Sequence, residues 1–215
     1  MNSSFDATCR RCPRLAAFLD AVHLEQPNYY CRPVPFFGDP NARLLIVGLA
    51  PGMHGANRTG RPFTGDHAGI LLYATLHKFG LASGPVSRAA DDGLQLIDTR
   101  ITNSVKCLPP ENKPLPLEIK VCNDFLRVEL EESRSVRAIL ALGTIAHAAV
   151  LRASGLRSAA HRFAHAAEHA LSGDRVLLDS YHCSRYNTQT RRLTTPMFED
   201  VVARARELAF AARPG

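Results

Sequence analysis

Short runs of consecutive apolar residues alternate along the chain with segments whose apolar residues recur at helical spacing. Short apolar runs bounded by turn residues are typical of strands buried on both faces. The predicted strands are residues 43–49, 96–105, 137–142 and 175–181. The predicted helices are residues 67–80, 117–132, 144–152 and 196–212, the last with a proline in its first turn. This alternation predicts an α/β fold: a central, mainly parallel sheet between two helical layers, a three-layer αβα sandwich.

The chain length of 215 residues suits one compact domain, and we predict a single domain over residues 1–215. In such folds the ligand binds beyond the carboxyl ends of the parallel strands. The loops that follow Leu49, Val105 and Tyr181 should therefore converge on one site. The stretch 153–169 is rich in Ala and His, and its pattern predicts no element.

Composition and charge place the chain among ordinary globular proteins, since 46% of its residues are hydrophobic. No apolar stretch is long enough for a membrane span, and the N-terminus lacks the basic start and apolar run of a signal peptide. We therefore expect a cytoplasmic protein with no membrane partner. The net charge of +6 suits a polyanionic partner such as DNA, although many basic proteins bind no anion.

A glycine-rich loop follows the first predicted strand and leads towards an acidic residue. Residues 48–55 lack the Gly-Lys-Ser/Thr of a phosphate-binding loop and the glycine spacing of a dinucleotide site. Asp66 stands directly before the helix predicted from residue 67, where an aspartate is commonly just an N-cap. A helix N-terminus also keeps a carboxylate ionised, so Asp66 is a candidate anion for a positively charged reaction intermediate.

The cysteine pattern predicts a metal site. Disulfides are not expected in a reducing compartment. Four of the six cysteines form one pattern, a C-x2-C pair followed by two cysteines far along the chain: Cys9, Cys12, Cys107 and Cys122. Four thiolates fit either tetrahedral zinc or an iron–sulfur cluster, and the spacing alone does not separate the two. Cys31 and Cys183 are left over, and Cys31 is interpreted as a free thiol.

Three long motifs occur in order: GLAPGMHGANRTGRPFTGD, ITNSVKCLPPENKP and SYHCSRYNTQTRRLT. Together with the cysteines they resemble family 5 (type B) of the uracil-DNA glycosylase superfamily, over Cys9 to about Thr194. Family 4 usually carries an acidic residue where this chain has Leu49, which favours family 5. The resemblance implies the uracil-DNA glycosylase fold, a [4Fe-4S] cluster on the four cysteines, and DNA containing uracil or other deaminated bases, such as hypoxanthine, as the partner.

The resemblance also implies residue roles in hydrolysing the N-glycosidic bond and so initiating base excision repair. Asp66 would position a water and offset positive charge on the deoxyribose, while His182 would donate a hydrogen bond to uracil O2 as the base departs. Phe63 would stack on the extruded base and Asn103 would pair with its edge. Each residue also has a purely structural alternative. Phe63 would be an ordinary core residue, Asn103 would only hydrogen-bond to backbone groups of its loop, and His182 would be a structural residue.

The remaining implied contacts lie in the first and third motifs. The backbone at Gly48, Ala50 and Gly52 would hold the base. The loop from residue 184 to 192 would enter the DNA helix and contact its backbone through Arg185, Asn187 and Arg191, unless these residues form only a solvated charged surface. The third motif departs from the family's His-Pro-Ser, because Cys183 replaces the proline.

Two competing functions remain at this point. One is a non-catalytic iron–sulfur protein that binds damaged DNA; Asp66 and His182 together favour catalysis over it. The other, an iron–sulfur redox enzyme, lacks a flavin or nicotinamide motif. Since no catalytic lysine is assigned, the enzyme is expected to be monofunctional, leaving an abasic site without cutting the strand. A monomer is the expected state.

Overall fold

The computed structural model describes residues 5–211. A six-stranded sheet with the order β1-β3-β2-β4-β6-β5 forms its centre. The strands are β1 (Phe37–Gly38), β2 (Leu44–Gly48), β3 (Thr99–Asn103), β4 (Ala138–Leu142), β5 (Glu168–Ala170) and β6 (Val176–Ser180). The four inner strands are parallel, and the two short edge strands are antiparallel to their neighbours. The four predicted strands are confirmed; the sequence missed only the two edge strands, which are too short to carry a pattern.

Seven α-helices surround this sheet in the described part of the chain. They are α1 (Pro13–Glu25), α2 (Ala56–Thr59), α3 (His67–Lys78), α4 (Pro116–Glu132), α5 (Thr144–Ala153), α6 (Arg185–Gln189) and α7 (Thr195–Phe210). The four predicted helices are confirmed as α3, α4, α5 and α7, although residue 212, the predicted end of α7, lies outside the described residues. Helix α1 was not predicted, even though Pro13 stands at its first turn and its apolar residues recur at helical spacing.

The sheet separates two helical layers, so the predicted αβα sandwich is confirmed. Every residue of the inner strands β2, β3 and β4 is buried, and their side chains alternate between the two faces. Ile46 and Leu140 face the core shared with α3 and α7. Leu45 and Ile139 face the core shared with α4 and α5. A third apolar cluster joins α1 to α4 and to the loop that follows β3.

The parallel strands all end at one edge of the sheet, where the loops after Gly48, Asn103, Leu142 and Ser180 lie together. This edge is where an α/β sheet of this kind binds its ligand. Within residues 5–211, no helix combines the length and apolar character that crossing a membrane requires.

Candidate active site

A cavity of about 560 Å³ opens at the carboxyl ends of the parallel strands. Its walls come from the loops after β2, β4 and β6, from the N-terminus of α3 and from Asn112 in the loop that follows β3. The predicted convergence of three loops is thus confirmed. The cavity size is typical of a site that takes a small organic ligand or an extruded base.

Asp66 lies on this cavity at the N-cap of α3, where its Oδ1 accepts a 3.0 Å hydrogen bond from the backbone N–H of Gly69. A Cβ atom built on Gly55 would lie 2.5 Å from Asp66 Oδ2, so the glycine-rich loop packs directly on the carboxylate. Burial raises the pKa of Asp66 above its ordinary value of 3.8, although the helix N-terminal N–H groups of Gly69 and Ala68 pull it down. The expected ionising effect of the helix is therefore present, but burial outweighs it.

His182 lies on the same cavity, two residues beyond the end of β6. Burial lowers the pKa of His182 to about 4, so its imidazole is neutral near pH 7 and carries one N–H donor. The amide of Asn187 donates a 2.8 Å hydrogen bond to the backbone carbonyl of His182. This bond ties the position of the ring to the short helix α6.

Phe63 lines the cavity and packs against the ring of His182, with ring centroids 5.9 Å apart and planes inclined by 27°. Its φ of 55° is unusual for a residue with a bulky side chain. Strain of this kind persists where the surroundings over-determine a conformation, and it clusters at ligand clamps. The conformation thus places the aromatic ring next to the imidazole.

Asn103 ends strand β3 beside Phe63 without itself lining the cavity. A Cβ atom on Gly48 would lie 2.4 Å from Asn103 Oδ1 and 2.6 Å from the Phe63 ring, so the three residues are in close contact. Within the described residues, Asn103 Oδ1 is buried and accepts no hydrogen bond. An unsatisfied buried acceptor costs about 1–3 kcal/mol, which makes this atom a candidate partner for a ligand N–H.

The remaining predicted contact residues divide into those on the cavity and two off it, Gly48 and Arg191. Ala50 and Gly52 line its wall, and Arg185 and Asn187 line its rim. Arg191 is exposed and does not line the cavity, whereas its neighbour Arg192 does.

Sequence reasoning missed part of the wall and one rim residue. Gly143, which joins β4 to α5, and Thr144 and Ile145 in the first turn of α5 line the cavity. The rule that placed the other loops there applies equally to the strand predicted at 137–142. Tyr186 also lines the cavity and is 70% exposed. The sequence feature that could have indicated Tyr186 is an aromatic residue within the third motif.

The four predicted metal ligands come together around a second, small cavity. Cys9 and Cys12 precede α1, Cys107 follows β3, and Cys122 lies in α4, where its sulfur accepts a 3.2 Å hydrogen bond from the backbone N–H of Lys106. Burial raises the pKa of Cys107 to about 12, so this sulfur becomes a thiolate ligand only beside a cation.

The sulfur spacing tests which group fits. Tetrahedral zinc, with Zn–S distances of about 2.3 Å, holds four thiolates about 3.8 Å apart. Among the described residues, no three of the four cysteine sulfurs lie within 4.8 Å of one another. The donor set of four thiols is chemically suited to a metal centre.

The two other cysteines lie outside this donor set. Cys183, which stands where the resembling family has proline, is fully buried in the core between the sheet and α7, and burial raises the pKa of its thiol. A buried thiol of this kind is inert. Cys31 is a free thiol whose sulfur accepts a hydrogen bond of 3.5 Å from the Asn57 amide.

Comparison with known proteins places the chain in a family. A family model of the uracil DNA glycosylase superfamily matches residues 35–206. A type-5 uracil-DNA glycosylase of Thermus thermophilus is 51% identical over 94% of each chain, and one of Pyrobaculum aerophilum is 44% identical over 92% of this chain and 87% of its own. A type-4 uracil-DNA glycosylase of Archaeoglobus fulgidus is 35% identical over 65% of this chain and 56% of its own.

The fold of this chain, and the site at the ends of its parallel strands, are those of an α/β enzyme. The chain belongs to the uracil DNA glycosylase superfamily, which confirms the predicted resemblance, and its more similar relatives are of type 5.

Proposed function

We propose that this chain is a monofunctional uracil-DNA glycosylase that hydrolyses the N-glycosidic bond of uracil in DNA and so initiates base excision repair. The observation that carries the proposal is that Asp66 and His182 line one cavity beside Phe63 and Asn103. The type-5 relatives support it. Incubating the protein with a uracil-containing oligonucleotide and measuring free uracil and abasic product tests it.

The reaction separates charge, and the two site residues match the two charges. When the bond between C1′ and uracil N1 breaks, its electron pair leaves with the base and the sugar becomes an oxocarbenium-like cation. The Asp66 carboxylate offsets that cation and orients a water, whose oxygen bonds to C1′ while its proton passes to the carboxylate. The neutral His182 donates its N–H to uracil O2, where negative charge accumulates. One such donor lowers a barrier by about 2.7–4 kcal/mol.

Base recognition falls to Asn103 and Phe63. The buried, unsatisfied Oδ1 of Asn103 accepts a hydrogen bond from uracil N3–H, and the amide nitrogen donates to uracil O4. The Phe63 ring stacks on the extruded base, which contributes about 1–3 kcal/mol. The backbone at Ala50 and Gly52 completes the wall, and Gly48 packs against Phe63 and Asn103, which hold the base.

The rim of the cavity contacts the DNA. Arg185 and Asn187 on the rim, and the exposed Arg191, whose neighbour Arg192 lines the cavity, contact the DNA phosphates. The exposed ring of Tyr186 enters the helix in place of the base, because it projects from the rim between Arg185 and Asn187. Extrusion costs a few kcal/mol and is easiest at a weakly paired site such as a U·G mismatch.

Cys9, Cys12, Cys107 and Cys122 would hold a [4Fe-4S] cluster, whose spacing requirement exceeds that of zinc. When bound, the cluster supplies structural cross-linking. These cysteines then attach the segment before α1 to α4 and to the loop after β3, which is the strand that carries Asn103.

A non-catalytic role in binding damaged DNA is the second candidate, and it predicts binding without release of free base. Substrate breadth belongs to the same proposal: a panel of uracil and hypoxanthine in single- and double-stranded contexts measures it. The monomeric state and the cytoplasmic location remain predictions; light scattering of the purified protein checks the first.

A further inference from the structure

A cluster of two imidazoles and a carboxylate lies outside the lining of the active-site cavity. His147 of α5, His169 of β5 and Asp179 of β6 place one donor atom each within 4.8 Å of one another. His147 Nδ1 lies 2.8 Å from Asp179 Oδ1, and His169 Nε2 lies 3.0 Å from Asp179 Oδ2. Asp179 is fully buried, and the two imidazole side chains are 4% and 10% exposed.

The second nitrogen of His147 faces a backbone carbonyl. His147 Nε2 lies 2.9 Å from the carbonyl oxygen of His161, and because a carbonyl only accepts, this nitrogen carries a hydrogen. Nδ1 faces the Asp179 carboxylate, which also only accepts, so a cation that binds here takes the place of the hydrogen on Nδ1 while Nε2–H stays on the carbonyl. Metal-bound histidines are oriented in this way, with the other ring N–H donated to a carbonyl or carboxylate.

The segment that covers the cluster, residues 153–170, contains no fully buried residue, although Ala153 and Leu156 pack against the core. No residue from 152 to 170 is buried, and the strand β5 within this segment pairs only with β6 over three residues. His161 and Phe163 pack on the imidazoles of the cluster, with ring centroids 5.7 Å apart in each case. The polar cluster is therefore one of the contacts that attach this stretch, together with the ring of His165 stacked on Tyr181 and the pairing of β5 with β6.

We propose that His147, His169 and Asp179 bind a divalent cation of the zinc class that fastens the 153–170 stretch to α5 and β6. Two imidazoles and a carboxylate are a recognised zinc ligand set, with water completing the tetrahedron. Nitrogen and oxygen ligands at about 2.0–2.1 Å from zinc lie about 3.3 Å apart. The two imidazole–carboxylate contacts of 2.8 and 3.0 Å are shorter than this by a few tenths of an ångström, and all three donor atoms lie within 4.8 Å of one another. The site is separate from the candidate active site, because none of the three residues lines that cavity.

Metal content of the holoprotein tests the proposal. The protein is purified anaerobically, dialysed against buffered Zn²⁺ and then against metal-free buffer, and its zinc and iron are measured by mass spectrometry. Wild type is expected to keep about one zinc ion per chain beyond its iron, and zinc should raise its melting temperature. His147→Gln keeps N–H donors for the carbonyl and the carboxylate, but this variant is expected to lose the bound zinc. His169→Gln is also expected to lose it.

The matched control is His77→Ala. His77 Nδ1 also contacts a backbone carbonyl, that of Ala82, at 3.1 Å. His77 belongs to α3, however, and is not a member of the cluster. This variant should keep the zinc and the thermal shift. Zinc uptake that persists unchanged in both glutamine variants, or wild type that retains no zinc and shows no shift, would overturn the site. The second result would leave the three residues as a hydrogen-bonded network only.

Discussion

The α carbon of Gly55 and the carboxylate of Asp66 approach so closely that a Cβ atom at residue 55 would lie 2.5 Å from Oδ2 and 2.7 Å from the Cβ of Asp66. Real Cβ atoms do not make such contacts, so the position of the carboxylate requires glycine at residue 55. The contact therefore sets a requirement for space at the reactive group.

Gly55→Ala is expected to reduce turnover because the added methyl group pushes the Asp66 carboxylate away from the sugar. A displacement of about 1 Å costs roughly 100-fold in rate. Single-turnover release of uracil measures it. Gly84→Ala is the control, since its Cβ would meet only the Leu94 side chain at 3.5 Å, an ordinary contact. Equal rates for the two variants would reject the spatial argument.

Asp66→Asn is expected to bind uracil-containing DNA normally while losing turnover by roughly 10²–10³-fold, since binding depends mainly on phosphates and the base pocket. Gel-shift titration and single-turnover kinetics measure the two properties. Asp91→Asn, at an exposed position, should leave both unchanged. If Asp66→Asn keeps full turnover, Asp66 is not the catalytic carboxylate.

The raised pKa of Asp66 has consequences for pH and for stability. Activity should fall on the acid side as the carboxylate protonates, at a higher pH than the ordinary value of 3.8. Because the folded state binds this proton more tightly than the unfolded chain, the ionised carboxylate destabilises the fold at neutral pH. Asp66→Asn should therefore melt at a higher temperature than wild type at pH 7, since asparagine is an equally good N-cap. A lower melting temperature would contradict this sign.

His182 should contribute to the loss of stability in mild acid. Its pKa falls from 6.5 to about 4 on folding, so between these values the unfolded chain binds the proton and the folded state does not. Stability from this residue is full above about pH 6.5 and is lost as the pH falls towards 4. Urea midpoints at pH 7 and pH 5 should differ more in wild type than in His182→Gln, with exposed His23→Gln behaving as wild type. Identical pH dependence in all three proteins would show that burial does not shift this group.

Tyr186→Ala is expected to slow uracil release from duplex DNA much more than from single-stranded DNA. The exposed ring assists extrusion, and a single strand has no base pair to open. Parallel assays on the two substrates measure the ratio, and Tyr186→Phe, which keeps the ring, should preserve it. If the rate of uracil release falls equally on both substrates, Tyr186 contributes to general DNA affinity and not to extrusion of the base.

Cys122→Ser is expected to abolish a brown colour with broad visible absorption, because it removes one of the four ligands. Cys31→Ser should keep the colour, since its sulfur contacts the Asn57 amide instead. Absorbance and iron content of anaerobically purified protein check both. A colourless wild-type protein loaded with zinc would overturn the cluster assignment.

Much of the architecture was determined by the sequence alone. The buried strands at 43–49 and 137–142 and the helix that starts after Asp66 were predictable because apolar runs and capping residues act over a few neighbouring positions. The three motifs were sufficient to indicate the family, and the rule for parallel sheets placed their loops at one edge. Edge strand β5 was not predictable, since three residues carry no period.

Only the tertiary structure decided which distant groups meet and how buried they are. The contact of Gly48 with Phe63 and Asn103, the opposing effects on the pKa of Asp66, and the cluster of His147 with Asp179 join residues from separate elements. Local patterns report which face of an element is apolar, but distances across the sheet follow from packing and register. Desolvation likewise depends on all the atoms that surround a group, so it becomes defined only when the layers close on one another.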